Sequence, residues 1–234
     1  MWALFIGKFC DNVMHQHYAL QISFASNESI SIRDADNNQN TYTQCFINSN
    51  ICHQFHSSEI CLIILINPLS TIGHKLFRKY SQKLIVNLQE DFKDLSVFFK
   101  AYLNRQLAFE DFINHVSLSL KQFECRSEHD LLDDRIYGTL QYVEQHFDRI
   151  ISLEEIAEFC NLSKSRFLHL FKENTGLNFR RYQLWIRLIK SLPYLKEHTI
   201  TQTAHQFGFT DSPHYTRTFK ETFGLLPKFF KMIK

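Results

Sequence analysis

Apolar and polar positions along this chain change their period twice. From Trp2 to about Asn67 the pattern favours strands. Tyr18, Leu20, Ile22 and Phe24 alternate with other residues, the period of a half-buried strand. Segments 30–33, 42–48 and 60–66 read the same way, and polar, turn-rich pieces at 26–28, 34–40, 49–50 and 57–58 separate them. Short strands between polar turns predict a small β-barrel or a jelly-roll piece. From about Leu69 to Phe123 the period becomes helical. Leu95, Phe98, Phe99, Tyr102 and Leu103 recur at steps of three and four, as do Phe112, Ile113, Val116, Leu120 and Phe123. These stripes suit an intramolecular core or a dimer contact. The polar run 125–134 marks the expected boundary between a first domain, 1–130, and a second, 131–234.

The second domain reads as helical throughout. Ile136, Leu140, Val143 and Phe147 stripe its first helix, and a short pattern then occurs twice, over about 152–176 and 199–224. The early parts of the two copies align 47 residues apart, Ala157 with Ala204. The later parts align 48 apart, Phe171 with Phe219 and Gly176 with Gly224. Each copy opens on a capping-box pattern, Ser152 with Glu155 and Thr199 with Gln202, where a hydroxyl and an acid or amide satisfy orphan backbone donors reciprocally. The small Ala157 and Ala204 let a second helix cross closely. Ser163 and the cluster 210–212 supply the next N-caps. Each copy is thus predicted to be a helix-turn-helix.

The second helix of each copy has two opposed faces. Phe167, Leu170 and Phe171 form the inward stripe of the first, and Tyr215, Thr218 and Phe219 that of the second. The outward places hold Ser165, Leu168, His169 and Lys172, and then Pro213, Thr216, Arg217 and Lys220. An outward face of hydrogen-bonding and cationic groups is what a major groove accepts. Charge agrees in direction. The net charge is only +2, but residues 133–234 hold 15 Lys/Arg against 11 Asp/Glu, and residues 1–132 hold 11 against 13.

With these motifs in place, the segment from about Asp133 to Lys234 resembles the DNA-binding domain of the AraC/XylS family of bacterial transcription regulators. The shared residues are the Phe171-Lys172 and Thr175-Gly176 pairs, Tyr182 and Arg187, the run Ala204–Phe209, the run Tyr215–Lys220, Gly224 and Pro227. The resemblance implies two helix-turn-helix units joined by a long helix, their reading helices in successive major grooves. By position, the base-reading places are Ser165, Leu168 and His169, then Ser212, His214 and Arg217, with Thr216 beside them. Arg217 offers a planar fork for guanine O6 and N7. Lys164, Lys172, Arg181 and Lys220 are expected to neutralise phosphates, which position without specifying. Arg187 is expected to brace the fold. Two features depart from the family pattern. Pro193 falls inside the expected linking helix, where it should kink or end it early. Phe229, Phe230 and Lys231 stand where an arginine often follows the final proline.

The first half is similar, more weakly, to a shortened form of the cupin-like sensor that precedes many such domains. The cues are Met14–Ala25, His53 and the run 66–73. The implied fold class is α+β: a small cupin-like β-barrel with helices, then an all-α pair of helix-turn-helix units. Aromatics such as Trp2, Phe5, Phe9, Tyr18 and Phe24 would line a pocket or fill the core. His15, His17 and His53, with His56 nearby, form the skeleton of a cupin metal site. The glutamate that usually completes it is absent, so packed or surface histidines are expected and no metal or cofactor is called for. The six cysteines lack a CxxC pair and suit reduced thiols, hence a reducing cytoplasm. No secretory leader is read at the N-terminus, and the run 60–66 is too short to span a bilayer.

The expected function is a non-enzymatic transcription regulator, an activator by family tendency, acting on double-stranded promoter DNA and with RNA polymerase as a possible partner. A small-molecule effector or homodimerisation through the first domain would modulate it, and no membrane partner is expected. Two alternatives stand beside this reading: a metal-dependent cupin enzyme tethered to DNA, and a ligand-independent DNA-binding protein.

Overall fold

The computed structural model describes residues 2–10, 12–27, 29–80, 84–88, 91–124 and 132–230. Most of the expected boundary segment, 125–131, and Lys231 lie outside the described residues. The chain divides into two compact units. The first comprises Met1–Arg126 together with Lys220–Lys234, and the second Ser127–Phe219.

In the first unit seven strands form a nearly closed antiparallel barrel: β1 (Trp2–Phe9), β2 (Leu20–Ala25), β3 (Ile30–Asp34), β4 (Gln39–Tyr42), β5 (Gln44–Ile47), β6 (His53–Ile66) and β7 (Ile85–Asn87). The order is β4-β3-β6-β2-β5-β7, with β1 also on β6. β6 is the spine. Its early part pairs β3, and Cys61–Ile66 is flanked by β1 on one edge and β2 on the other. That stretch is apolar without interruption, as a strand covered on both faces requires.

β2 corrects an expectation. Its alternation predicts one wet face, yet all six residues are buried. The polar positions are satisfied from within: Gln21 Nε2 donates to Ser23 Oγ at 2.9 Å, and Gln21 Oε1 lies 2.9 Å from His17 Nε2. A buried polar group with a partner escapes most of its desolvation cost. The short edge strand β7 also departs from the helical reading of 69–123; three residues are too few to leave a period.

Three helices cover the barrel: α1 (Thr71–Lys79), α2 (Lys93–Leu103) and α3 (Phe109–Lys121). Ser70 starts α1 by accepting from Gly73 N at 3.1 Å. Leu95, Phe99, Phe112, Val116 and Leu120 share one core with Leu20, Ile22, Phe24, Phe46, Leu62 and Ile64. The buried side of the two helical stripes is therefore intramolecular. Each such side chain contributes about 1.5–3 kcal/mol by leaving water. Phe5, Phe9, Tyr18 and Phe24 are buried as well, and Trp2 packs partly against this core. The C-terminal residues of this unit are tied to β1 and the segment that follows it. Asn12 Nδ2 donates to the Phe223 carbonyl at 2.8 Å, Val13 N donates to the Gly224 carbonyl at 2.9 Å, and Phe5 meets the rings of Phe223 and Phe230.

The second unit is helical: α4 (Asp134–Gln145), α5 (Leu153–Phe159), α6 (Lys164–Thr175), α7 (Phe179–Glu197), α8 (Ile200–Gln206) and most of α9 (Ser212–Phe223). The four-residue α10 (Pro227–Phe230) follows in the first unit. Pro193 does not end α7, which runs four residues beyond it. An interior proline costs about 3 kcal/mol through a lost bond and a clash. Leu188, Leu192 and Leu195, buried on either side of it, offset that cost by holding the helix on its neighbours.

Candidate nucleic-acid interface

The two helix-turn-helix units are built on the same plan. In the first, Ser152 caps α5 by accepting from Glu155 N at 3.1 Å, and Ser163 caps α6 by accepting from Arg166 N at 3.3 Å. In the second, Thr199 and Gln202 form the full reciprocal box on α8. Asp211, within the expected cluster, caps α9 by accepting from His214 N at 2.6 Å.

The first box is only half formed. Glu155 turns away from the cap, and its carboxylate instead accepts from Arg149 at 2.5 and 2.8 Å and from Tyr142 Oη at 2.7 Å. Charge-assisted bonds to a guanidinium outcompete a bond to one backbone N–H. They hold the Glu155 carboxyl down to about 2.

Both turns use the same backbone device. Leu162 N donates to the Ala157 carbonyl and Phe209 N to the Ala204 carbonyl, each at 2.9 Å. The residue before each donor adopts a left-handed conformation: Asn161 at φ 51° and Gly208 at φ 68°. Asparagine tolerates this region because its amide bonds locally, and glycine because it has no β-carbon. The equivalence of Asn161 and Gly208 was missed in the sequence reading; the signal was an asparagine 47 residues before a glycine. Ala157 and Ala204 are both buried, which lets the helices of each pair approach.

Aromatic packing fixes the reading helices. Phe167, Phe171, Phe179 and Tyr182 form one ring cluster with centroids 5.1–5.7 Å apart. On α9, Tyr215 packs edge-on against Phe209 and pairs its hydroxyl with Ser191 at 2.8 Å. Burial pushes the Tyr215 phenol up to about 12, so it stays neutral. Arg187 is buried, donates Nη1 to the Gly208 carbonyl at 2.6 Å and lies over the Phe209 ring. It braces the second turn from α7.

With these stripes inward, the other faces turn to solvent. Lys164, Ser165, Leu168, His169 and Lys172 are exposed on α6. On α9, Arg217 and Lys220 are exposed, while Ser212, His214 and Thr216 are half-buried. His214 touches the Phe209 ring at 5.4 Å, which limits its freedom. Arg181 is exposed at the start of α7. Lys164 pairs with Glu154; both are solvent-exposed, so the pair stabilises little.

The other set of candidates lies in the first unit. His15, His17 and His53 are all buried and come together, with ring centroids 4.4–5.6 Å apart, while His56 is exposed and stays outside.

Comparison with known proteins bears on the class. Residues 156–232 match the family model described as a helix-turn-helix domain. The HTH-type transcriptional activator RhaS of Salmonella schwarzengrund strain CVM19633 is 32% identical over 98 residues, 41% of this chain and 35% of RhaS. RhaS of Salmonella arizonae matches to the same extent. This chain therefore spans about a third of the length of the curated relatives it matches. Among solved structures, apo ToxT K231A from Vibrio cholerae strain SCE256 superposes with a TM-score of 0.64 over 99% of this chain and 96% of ToxT, at 15% identity. ToxT with an unsaturated fatty acid bound gives 0.61 over 100% and 95%, at 18% identity. At such identity the likeness is one of fold, and it covers the barrel as well as the helices. Residues 156–232 are a helix-turn-helix domain, and the α+β barrel before it shares the fold of ToxT. No helix among the described residues is long and apolar enough to cross a membrane.

Proposed function

We propose that this chain is a cytoplasmic, non-enzymatic regulator of transcription, most simply an activator, that reads promoter DNA through residues from about 131 to 234. One observation carries the reading: both reading helices turn a polar and cationic face away from the core, on caps and turns of the same design. Lys164, Leu168, His169 and Lys172 on α6 answer to Ser212, Thr216, Arg217 and Lys220 on α9, while Ser165 and His214 each stand in one helix alone. Ser165, His169, Ser212, His214, Thr216 and Arg217 would bond base edges, and Leu168 would meet a thymine methyl. Lys164, Lys172, Arg181 and Lys220 would hold phosphates. The strut between the units is α7, whose 19 residues give roughly 28 Å of helix. That length suits grooves one turn apart, roughly 34–36 Å. RhaS supports activation, and so RNA polymerase as a partner. The fold shared with fatty-acid-bound ToxT supports a small effector acting through the barrel, with homodimerisation as the other means of control.

Two substitutions separate specificity from affinity. Arg217→Ala is expected to weaken binding to the specific site by about 1–3 kcal/mol and relax preference at one base pair. Fluorescence anisotropy on specific and random duplexes checks it, and equal losses on both would remove Arg217 from base reading. Lys172→Ala is expected to weaken binding to all sequences and to flatten the log–log salt dependence by roughly one unit. An unchanged slope in a salt titration would take Lys172 out of the phosphate contacts.

A further inference from the structure

We propose that the barrel carries a transition-metal site made of His15, His17 and His53. The topology brings these residues together. His15 and His53 face each other across an isolated antiparallel bridge, with reciprocal backbone bonds of 2.9 Å. His17 follows two residues later, just before β2. All three are buried, at 7%, 4% and 0% exposure, and their candidate ligand nitrogens lie within 4.8 Å of one another.

The ring orientations are those of ligands. Each histidine places Nδ1 2.9 Å from a backbone carbonyl two residues away: His15 on Val13, His17 on Ala19 and His53 on Ile51. A carbonyl can only accept, so on His15 and His53 Nδ1 carries the proton and Nε2 keeps its lone pair; neutral His17, between the Ala19 carbonyl and Gln21 Oε1, protonates one nitrogen and leaves the other for metal. Donation of the second ring N–H to a carbonyl is how proteins orient metal-binding imidazoles. His53 Nε2 is buried and has no hydrogen-bond partner among the described residues. That is an unusual expense for a packed core and the expected state of an empty ligand.

Chemistry narrows the ion. Three imidazoles, with no carboxylate or thiolate joining the cluster among the described residues, suit zinc, copper, iron or nickel rather than magnesium or calcium. Bonds of about 2.0–2.1 Å to a tetrahedral ion require nitrogens roughly 3.4 Å apart, so the rings close in slightly on binding. Three protein ligands leave one position open. Gln21 Oε1, beside His17 Nε2, is placed to fill it or to bond a metal-bound water. A divalent ion among neutral ligands in a buried site favours an anion there. Gly224 shapes the site's edge: a β-carbon on it would fall 2.6 Å from His15 Nδ1.

The test uses the full chain, stripped with a chelator and titrated with Co²⁺ alone, then displaced by Zn²⁺. Visible absorption reports four-coordinate cobalt. One equivalent per chain is expected, displaced by Zn²⁺. His17→Ala and His53→Ala should bind at least tenfold more weakly, whereas His56→Ala, which changes the exposed histidine, should bind as the parent does. Circular dichroism checks folding, and His15→Gln replaces any alanine variant that fails to fold. No saturable binding by the parent chain, or full binding by a folded His53→Ala, overturns the site. The result does not depend on whether the chain binds DNA.

Discussion

Phe171→Ala should lower the stability of the helical unit by about 3–5 kcal/mol, the range for removing a fully buried phenylalanine. Phe171 is 0% exposed and sits at the centre of the ring cluster with Phe167, Phe179 and Tyr182. Those partners come from α6 itself and from α7, so the cavity would open where the first reading helix meets the strut. The surrounding rings are large and stiff and cannot collapse into it, which puts the cost high in the range. Urea unfolding followed by Trp185 fluorescence in a Trp2→Phe background measures it, because Trp185 is buried on α7. Phe171→Leu keeps most of the volume and should cost far less. If Phe171→Ala unfolded at the parent's urea midpoint, the cluster would not be what holds α6 in place.

Gly208→Ala carries the second large effect. The residue sits at φ 68°, where a β-carbon is strained by roughly 1–3 kcal/mol. Here the carbon would also stand 2.9 Å from the Asp148 carbonyl oxygen and 3.3 Å from Arg187 Nη1. Relieving that contact moves either backbone or the guanidinium that bonds the Gly208 carbonyl. The two terms act together, so a loss of about 2–4 kcal/mol is expected, with weakened DNA binding by the second unit. The converse change in the first turn, Asn161→Gly, should shift stability by no more than about 0.5 kcal/mol, since asparagine already occupies the left-handed region there. Denaturant melts of both variants make the comparison. Equal effects at the two positions would contradict the strain assigned to a β-carbon at Gly208.

What could be read in the sequence follows from how local each cause is. Caps, turn glycines and the three-and-four spacing of Phe167, Leu170 and Phe171 act within a few residues, so the repeated helix-turn-helix was legible and its elements formed where expected. The strands at 20–25 and 30–34 and the later part of β6 were legible for the same reason, whereas the turn expected at 57–58 lies inside the continuous strand His53–Ile66. Pairings across the chain were not. Glu155 obeys the capping pattern, but Arg149 and Tyr142, brought near by the fold, take its carboxylate. β2 shows the alternation of a half-wet strand, and only the His17–Gln21–Ser23 chain of polar contacts explains why its polar side is dry. Pro193 reads as a helix breaker until the burial of Leu192 and Leu195 is known. His15 and His53 lie 38 residues apart, and nothing in their spacing places them across one bridge.

Hydroxyl-radical footprinting of the full chain on a duplex selected from random sequence tests the central claim most directly. Two equivalent exposed faces on one strut predict two protected tracts on one side of the duplex, about one helical turn apart. The tract read by α9 should fade in Arg217→Ala while the other persists. A single protected tract, or none at low salt, would contradict the account.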